Sequence, residues 1–372
     1  MVEPIYPYIP FASSLVWNRG TVGDENGEVK IHVSFSPDWF SRRMDLDYGE
    51  QWHRDPVYRR QSFADMSRAL NGEFPELGLG GNPDSIRGGL SQIDTCALVA
   101  ALFGQEILFA RDQWPENRRA LLDDEAAGDL EMPDIHAHPV FIDLMRQIDI
   151  IAREWGEVDG ELNYQGVLNT AFRLRGEQIF IDMVAAKERA HRVLEVVVRT
   201  MIALADSVYA CQTRTGVRKD YFVTSNCVVN LISEAHYREF VMPYDRLLSE
   251  HFPNFGIHNC GWTVDAYARA YAEIDELGYL DFGLRSDLAA LRRLFPGTVL
   301  AVILNPEDVL GRSPQALETD MRRLRETLGR CRIILGSLDG STDSEEVSRF
   351  FEIASRVWTV ELEELVPRPH YG

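Results

Sequence analysis

The chain has 372 residues and is 45% hydrophobic, enough to fill the core of one large domain or two small ones. Its 58 acidic against 38 basic residues give a formal charge of -20, which argues against binding nucleic acid or an anionic membrane through the overall field. There is no basic segment followed by an apolar run at Met1 to Pro7 and no apolar stretch of bilayer length, so a cytoplasmic location is expected, with the five cysteines reduced.

Residues 1–60 read as an N-terminal extension, aromatic and charged, that includes a first strand at Lys30 to Phe35. Beyond Pro56 the apolar positions Tyr58, Phe63, Met66 and Leu70 recur at helical spacing up to Asn71-Gly72. A second strand is expected at Leu77-Gly78-Leu79-Gly80. Residues 94–160 read as an inserted helical segment, being long, acidic at Asp123-Asp124-Glu125 and broken by prolines.

The remainder alternates strand with helix. Leu162 to Leu168 leads to a helix near Thr170 and then to a longer one over 177–205; Tyr221 to Thr224 leads to a helix over 234–248. Phe255 to His258 leads to a helix over 263–277, and Tyr279 to Phe282 to one over 284–294. Val299 to Leu304 leads to 315–328, and Arg332 to Leu335 to 344–357. Six such units require a largely parallel sheet, and with the two earlier strands the count reaches eight, so the fold expected over 1–372 is a single α/β domain, a (β/α)8 TIM barrel. An open doubly wound sheet is the alternative. It would lack the dinucleotide fingerprint, because Gly78-Leu79-Gly80-Gly81 runs into Pro83 and not into a helix.

Barrels carry their chemistry at the C-terminal ends of strands, and His258, Cys260, Cys227, Asp281, Asn305 and Asp339 all fall at such ends. His258-Asn259-Cys260-Gly261 places an imidazole and a thiol two residues apart where a strand gives way to a loop. Zinc takes both ligand types together, although two ligands are too few and a buried core His and Cys would give the same string. Cys331, at the start of the last strand, reads as core, and Cys96 and Cys211 as structural.

The strings Leu231-Ile232-Ser233, Tyr237-Arg238-Glu239-Phe240-Val241-Met242-Pro243-Tyr244 and His258-Asn259-Cys260-Gly261 resemble the uroporphyrinogen decarboxylase superfamily. Phe103 to Ile107, Phe172 to Gly176 and Asn305 to Val309 resemble further family segments, so the likeness runs from about residue 57 onward. The superfamily joins tetrapyrrole decarboxylases to zinc-dependent methyltransferases that move methyl groups between a corrinoid and a thiol or related acceptor. The decarboxylases carry a Met-Arg-Gln-Ala-Gly-Arg motif; this chain has Ser41-Arg42-Arg43-Met44 in its place, leaving Arg42, Arg43, Arg54 and Arg87 as the cations on offer.

The methyltransferase branch is the nearer of the two. Its pattern adds a further cysteine near the last strand, and here Gly336-Ser337-Leu338-Asp339-Gly340 puts Asp339 where that cysteine would stand. The resemblance implies one zinc per chain held by His258 and Cys260; Cys227, which ends the strand before that of His258 and is no part of the family pattern, is expected to join them because adjacent strand ends lie close, with Asp339 or the substrate in the fourth position. His258, Cys260 and Asp281 are the expected catalytic residues, Asp281 positioning the substrate. Trp262 and Asn305 are expected at the cofactor, with Trp39, Trp52 and Trp114 as further flat surfaces. No Asp-x-His-x-x-Gly string is present, so a corrinoid would come on a partner protein or from solution. Tetrapyrrole decarboxylation is the alternative function, and a noncatalytic cofactor- or protein-binding barrel a third.

Overall fold

The computed structural model describes residues 30–85, 89–219, 221–329 and 331–359; residues 1–29 and Arg87 lie outside them. Its centre is a curled, wholly parallel sheet of seven strands: β1 (Lys30–Phe35), β2 (Tyr164–Gln165), β3 (Phe222–Ser225), β4 (Phe255–His258), β5 (Leu277–Gly283), β6 (Val299–Leu304) and β7 (Arg332–Leu338). The order across the sheet is β1-β7-β6-β5-β4-β3-β2, so from β2 to β7 each strand lies beside its neighbour in sequence. Helices make the crossovers, as parallel pairing demands.

Alternation along the strands divides the apolar residues between two faces. Tyr221, Val223, Tyr279, Ala301, Ile303 and Ile334 form a cluster of their own on one face. Their neighbours Phe222, Leu280, Leu300, Val302, Ile333 and Leu335 belong to the main core with helix residues such as Leu291, Leu324 and Phe350. A sheet buried on both faces explains why β6 reads as the unbroken apolar run Val-Leu-Ala-Val-Ile-Leu.

Among the described residues the count falls one short of eight, and the shortfall lies at Leu77 to Gly80. Positive φ angles of 62° at Gly78 and 60° at Gly81 coil that segment into turns. Residues 90–92 lie against the chain just ahead of β2, where Leu90 N–H donates to Asp159 O (3.0 Å) and Gln92 N–H to Glu161 O (3.3 Å). Donors two apart reaching acceptors two apart is the spacing of a parallel ladder.

Helix boundaries also differ from expectation. The long helix expected over 177–205 is two, Gln178–Ala185 and Lys187–Arg214, separated at Ala186 (φ -151°). Of the helix expected over 263–277 only Ala268–Tyr271 forms, the rest being turns above β4 and β5. Within 94–160 lie a short hairpin (Ile107–Leu108 with Glu116–Asn117) and the helices Asp124–Gly128 and Pro139–Trp155. Buried Arg175 ties this segment to the body, donating to Asp182 Oδ2 (2.8 Å), to Leu122 O (2.6 Å) and to Asp124. No helix of the described residues is long and apolar enough to cross a membrane.

Candidate metal centre

The register of β3 with β4 sets Ser225 opposite His258 at their last shared rung. In both strands the next two residues are Asn-Cys, so the pairing carries Asn226 alongside Asn259 and Cys227 alongside Cys260. Asn226 N–H donates to His258 O (2.7 Å) and keeps the strand ends in step. Past this point the chain turns sharply: Cys260 has φ 50° and Gly261 φ 77°, two left-handed residues in succession. A Cβ on Gly261 would sit 2.9 Å from Asn305 Nδ2, and one on Gly283 only 1.9 Å from Gly261 O. Glycine at both positions lets the loop fold down over β5, where Gly283 N–H donates to Trp262 O (2.9 Å).

The turn brings Cys260 Sγ to 3.0 Å from His258 Nε2 and 2.6 Å from Cys227 Sγ. Both thiols are free, and one donor atom from each of Cys227, His258 and Cys260 lies within 4.8 Å of the others. Beneath the imidazole, Asp281 is wholly buried. Its Oδ2 meets His258 Nδ1 at 2.6 Å and accepts from Tyr279 OH (3.0 Å), while its Oδ1 accepts from Asn259 N–H (2.7 Å).

This donor set fits a soft divalent metal. With Nδ1 turned to a carboxylate, Nε2 faces the two sulfurs, the orientation that metal-ligating histidines adopt. The charges are already biased: the hydrogen bond from Cys260 comes first in holding the Cys227 thiol down to about 5, with His258 adding to it against burial. The same bond, and burial, push Cys260 well up. Burial works against a charged His258, but Asp281 and Cys227 outweigh it and hold the ring up to about 10. The site thus favours one thiolate between the two sulfurs, beside an imidazolium.

The other expected site residues divide. Asp281 touches His258, Asn259 and Tyr279 through both oxygens, so it orients the imidazole; the expectation had been that it would orient substrate. Asp339 is exposed on its own turn, where Ser341 N–H and Oγ donate to Oδ1 at 2.8 and 2.6 Å, and the structure does not bring it to the three ligands. Trp262, 53% exposed, follows the Cys260-Gly261 turn directly, and Asn305 lies against Gly261. Trp39 and Trp52 are fully buried in the core and so form no cofactor platform, and partly buried Trp114 packs edge-on to Tyr48. Cys331 and Cys211 are buried as expected. Cys96 is partly exposed, its sulfur 3.1 Å from Arg173 Nη2.

Sequence reasoning missed Asn226, Asn259, Tyr271, Tyr279 and Asp245, which hold the ligands from behind. The doubled Asn-Cys at the ends of adjacent strands was the available signal.

Residues 93–356 match the family model of uroporphyrinogen decarboxylase (URO-D), and the chain belongs to that family. Among solved structures it is similar to a methyltransferase from Methanosarcina mazei, with a TM-score of 0.61 over 89% of this chain and 94% of that one. At 13% identity that likeness establishes a shared fold. No curated protein sequence matches the chain.

Proposed function

We propose that this chain is a metal-dependent methyltransferase that moves a methyl group from a corrinoid or another methyl donor to a thiol or related soft acceptor. The observation that carries the reading is the convergence of Cys227, His258 and Cys260 with Asp281 fixing the imidazole from behind. We read the sheet, with residues 90–92 in the eighth position, as a (β/α)8 barrel whose strand ends present this centre.

Zinc held there would keep an acceptor thiol deprotonated, and so nucleophilic, at neutral pH. The chain's own residues supply the rest. The turn at Cys260 reaches the surface, and exposed Trp262 beside it offers a flat apolar face to the donor. In the transfer the acceptor sulfur's electron pair forms the new S–C bond, the donor keeps the pair of the broken bond, and the thiol proton passes to solvent. A corrinoid would be brought by a partner protein or from solution, with the segment 94–160 beside the mouth as platform.

Of the four arginines that tetrapyrrole decarboxylation would call on, Arg87 lies outside the described residues and the other three have partners. Arg43 donates to Gly340 O (3.2 Å) and Thr342 O (3.0 Å), Arg54 to Asp94 (2.8 Å), and Arg42 lies beside Asp38 at 3.8 Å. Each carboxylate of a tetrapyrrole would have to displace one of these partners.

The test is metal analysis of protein purified without added zinc, followed by mixing the zinc-loaded protein with methylcobalamin and a simple thiol under anaerobic conditions. About one zinc per chain, with methylcobalamin consumed in a His258-dependent way, is the expected result. Absence of metal together with no uptake on dialysis would end the reading.

A further inference from the structure

The two cysteine ligands are each preceded by a buried asparagine, and each asparagine is anchored to a buried aspartate. Asn259 donates through its backbone N–H to Asp281 Oδ1 (2.7 Å) and through Nδ2 to Asp281 O (2.9 Å), and its Oδ1 accepts from Tyr271 OH (3.1 Å). Asn226 donates through Nδ2 to Asp245 Oδ2 (2.8 Å), which also accepts from Tyr237 OH (2.8 Å). Asp245, Tyr237 and Tyr271 are all fully buried, and the two tyrosine rings meet edge to face with centroids 5.2 Å apart.

Local structure explains how a helix residue reaches the strand end. Glu234–His236 opens a helical stretch that widens into a π-helical turn over Tyr237–Val241 before Met242–His251 continues it. Such turns interrupt α-helices mostly where function calls for a shifted side chain. Here Tyr237 OH donates to Asp245 Oδ2 although eight residues separate them. Asn226 is confined from the other side as well. A Cβ on Gly166 would lie 2.2 Å from Asn226 Oδ1, so only glycine at the end of β2 leaves the amide room. Burying a carboxyl here has a cost. Burial pushes Asp245 up to about 7, against the lowering by its two donors, so the packing core alone would favour an apolar residue.

We propose that Asp245 is a positioning residue of the metal centre: through Asn226 it fixes the corner that aims Cys227 at Cys260 and His258, as Asp281 fixes the corner that carries Cys260. The inference rests on the metal-site reading above and adds to it the origin of the third ligand's placement. The hydrogen-bonded route from Asp245 to the centre runs through Asn226 to Cys227.

Zinc affinity of the full chain, measured by competition with a chromophoric chelator, tests this as a cycle. Asp245→Leu, which removes the acceptor of both bonds, is expected to weaken zinc roughly 10- to 100-fold, the range for groups that orient ligands. Asn226→Ala, which cuts the same link from the other side, is expected to match it should Asp245→Leu fold poorly. In a Cys227→Ala background either change should cost less than about twofold, because residues acting through one another are not additive. An unchanged affinity in the single variants, or a full additional loss without Cys227, would overturn the proposal. If the wild type takes up no zinc the metal reading fails, and phenylarsine oxide, which bridges two adjacent thiols, then reads the placement alone. Wild-type protein should bind it tightly and Asp245→Leu at least several-fold more weakly; equal binding overturns the inference.

Discussion

Ser225 and His258 face each other at the last rung shared by β3 and β4, and that pairing is what makes Cys227 and Cys260 neighbours. Each sulfur stands two residues beyond the end of its strand or its last rung, so the 2.6 Å contact is a consequence of register more than of loop choice. A shift of one residue would turn one of the two sulfurs to the opposite face.

Because the ligand set is built on that register, Cys227→Ala should weaken zinc strongly while leaving the melting temperature of the metal-free protein nearly unchanged. Asp339→Ala should leave zinc affinity as it is, since Asp339 spends its carboxylate on Ser341. Cys331→Ala is the opposite control. Its thiol is buried and pushed up to about 12 by burial, so the variant should lose about 1 kcal/mol of stability and no metal. Parallel chelator titrations and thermal melts separate the three.

Metal uptake should release protons. At pH 7.5 Cys227 is already a thiolate, whereas Cys260 is held protonated by its bond to Cys227 and by burial, and His258 remains charged against burial through Asp281 and Cys227. Binding at both must expel about two protons, so affinity should rise with pH through the neutral range. Calorimetry in buffers of differing ionisation enthalpy counts them. A count of zero would mean that the imidazole and the second thiol are not ligands.

How much of this could be read from the chain differs with the kind of signal. β4 and β6 were legible to the residue because a strand buried on both faces is a short apolar run with clear ends. The strand expected at Leu77 to Gly80 failed because glycines that suggest close backbone approach equally permit the positive φ of a turn. His258 and Cys260 were legible as a local string, and Cys227 from its place at the neighbouring strand end. Asp339 was placed by analogy with the family pattern, and its own Ser341 and Thr342 neighbours, good partners for a turn, were the competing signal. Asp245 carried none: a carboxylate in a helix reads as a solvated face, and only the tertiary structure shows it fully buried against Asn226 and Tyr237.

Gly283→Ala separates strand packing from loop placement. Its Cβ would collide with Gly261 O, which is backbone and cannot swing aside as a side chain would, so the 259–262 loop must lift away from β5. The expected result is a lower melting temperature and a loss of zinc affinity together. Gly297→Ala, where nothing lies within 4 Å of the added carbon, should change neither by more than about 0.5 kcal/mol. Retained affinity in Gly283→Ala would show that the left-handed turn at Cys260 and Gly261 holds without its floor.

The last expectation concerns stability against pH. Glu161 is buried beside Lys219, whose Nζ lies 3.4 Å from Oε1; burial dominates over that attraction and lifts the carboxyl to about 7. Its unfolded value is about 4.3. The folded state therefore binds more protons than the unfolded state between these limits, and stability must fall as pH rises from about 4 to 7 and then level off. Asp245, also lifted to about 7 by burial, adds a contribution of the same sign. Glu161→Gln removes the titrating group while keeping an acceptor for Lys219. Relative to wild type it should gain stability at pH 8 by an amount, ~4 kcal/mol at most, that is absent at pH 4. Denaturant unfolding at the two pH values measures the difference directly. An equal effect of Glu161→Gln at both would mean that Glu161 is ionised throughout, with Lys219 fully offsetting its burial.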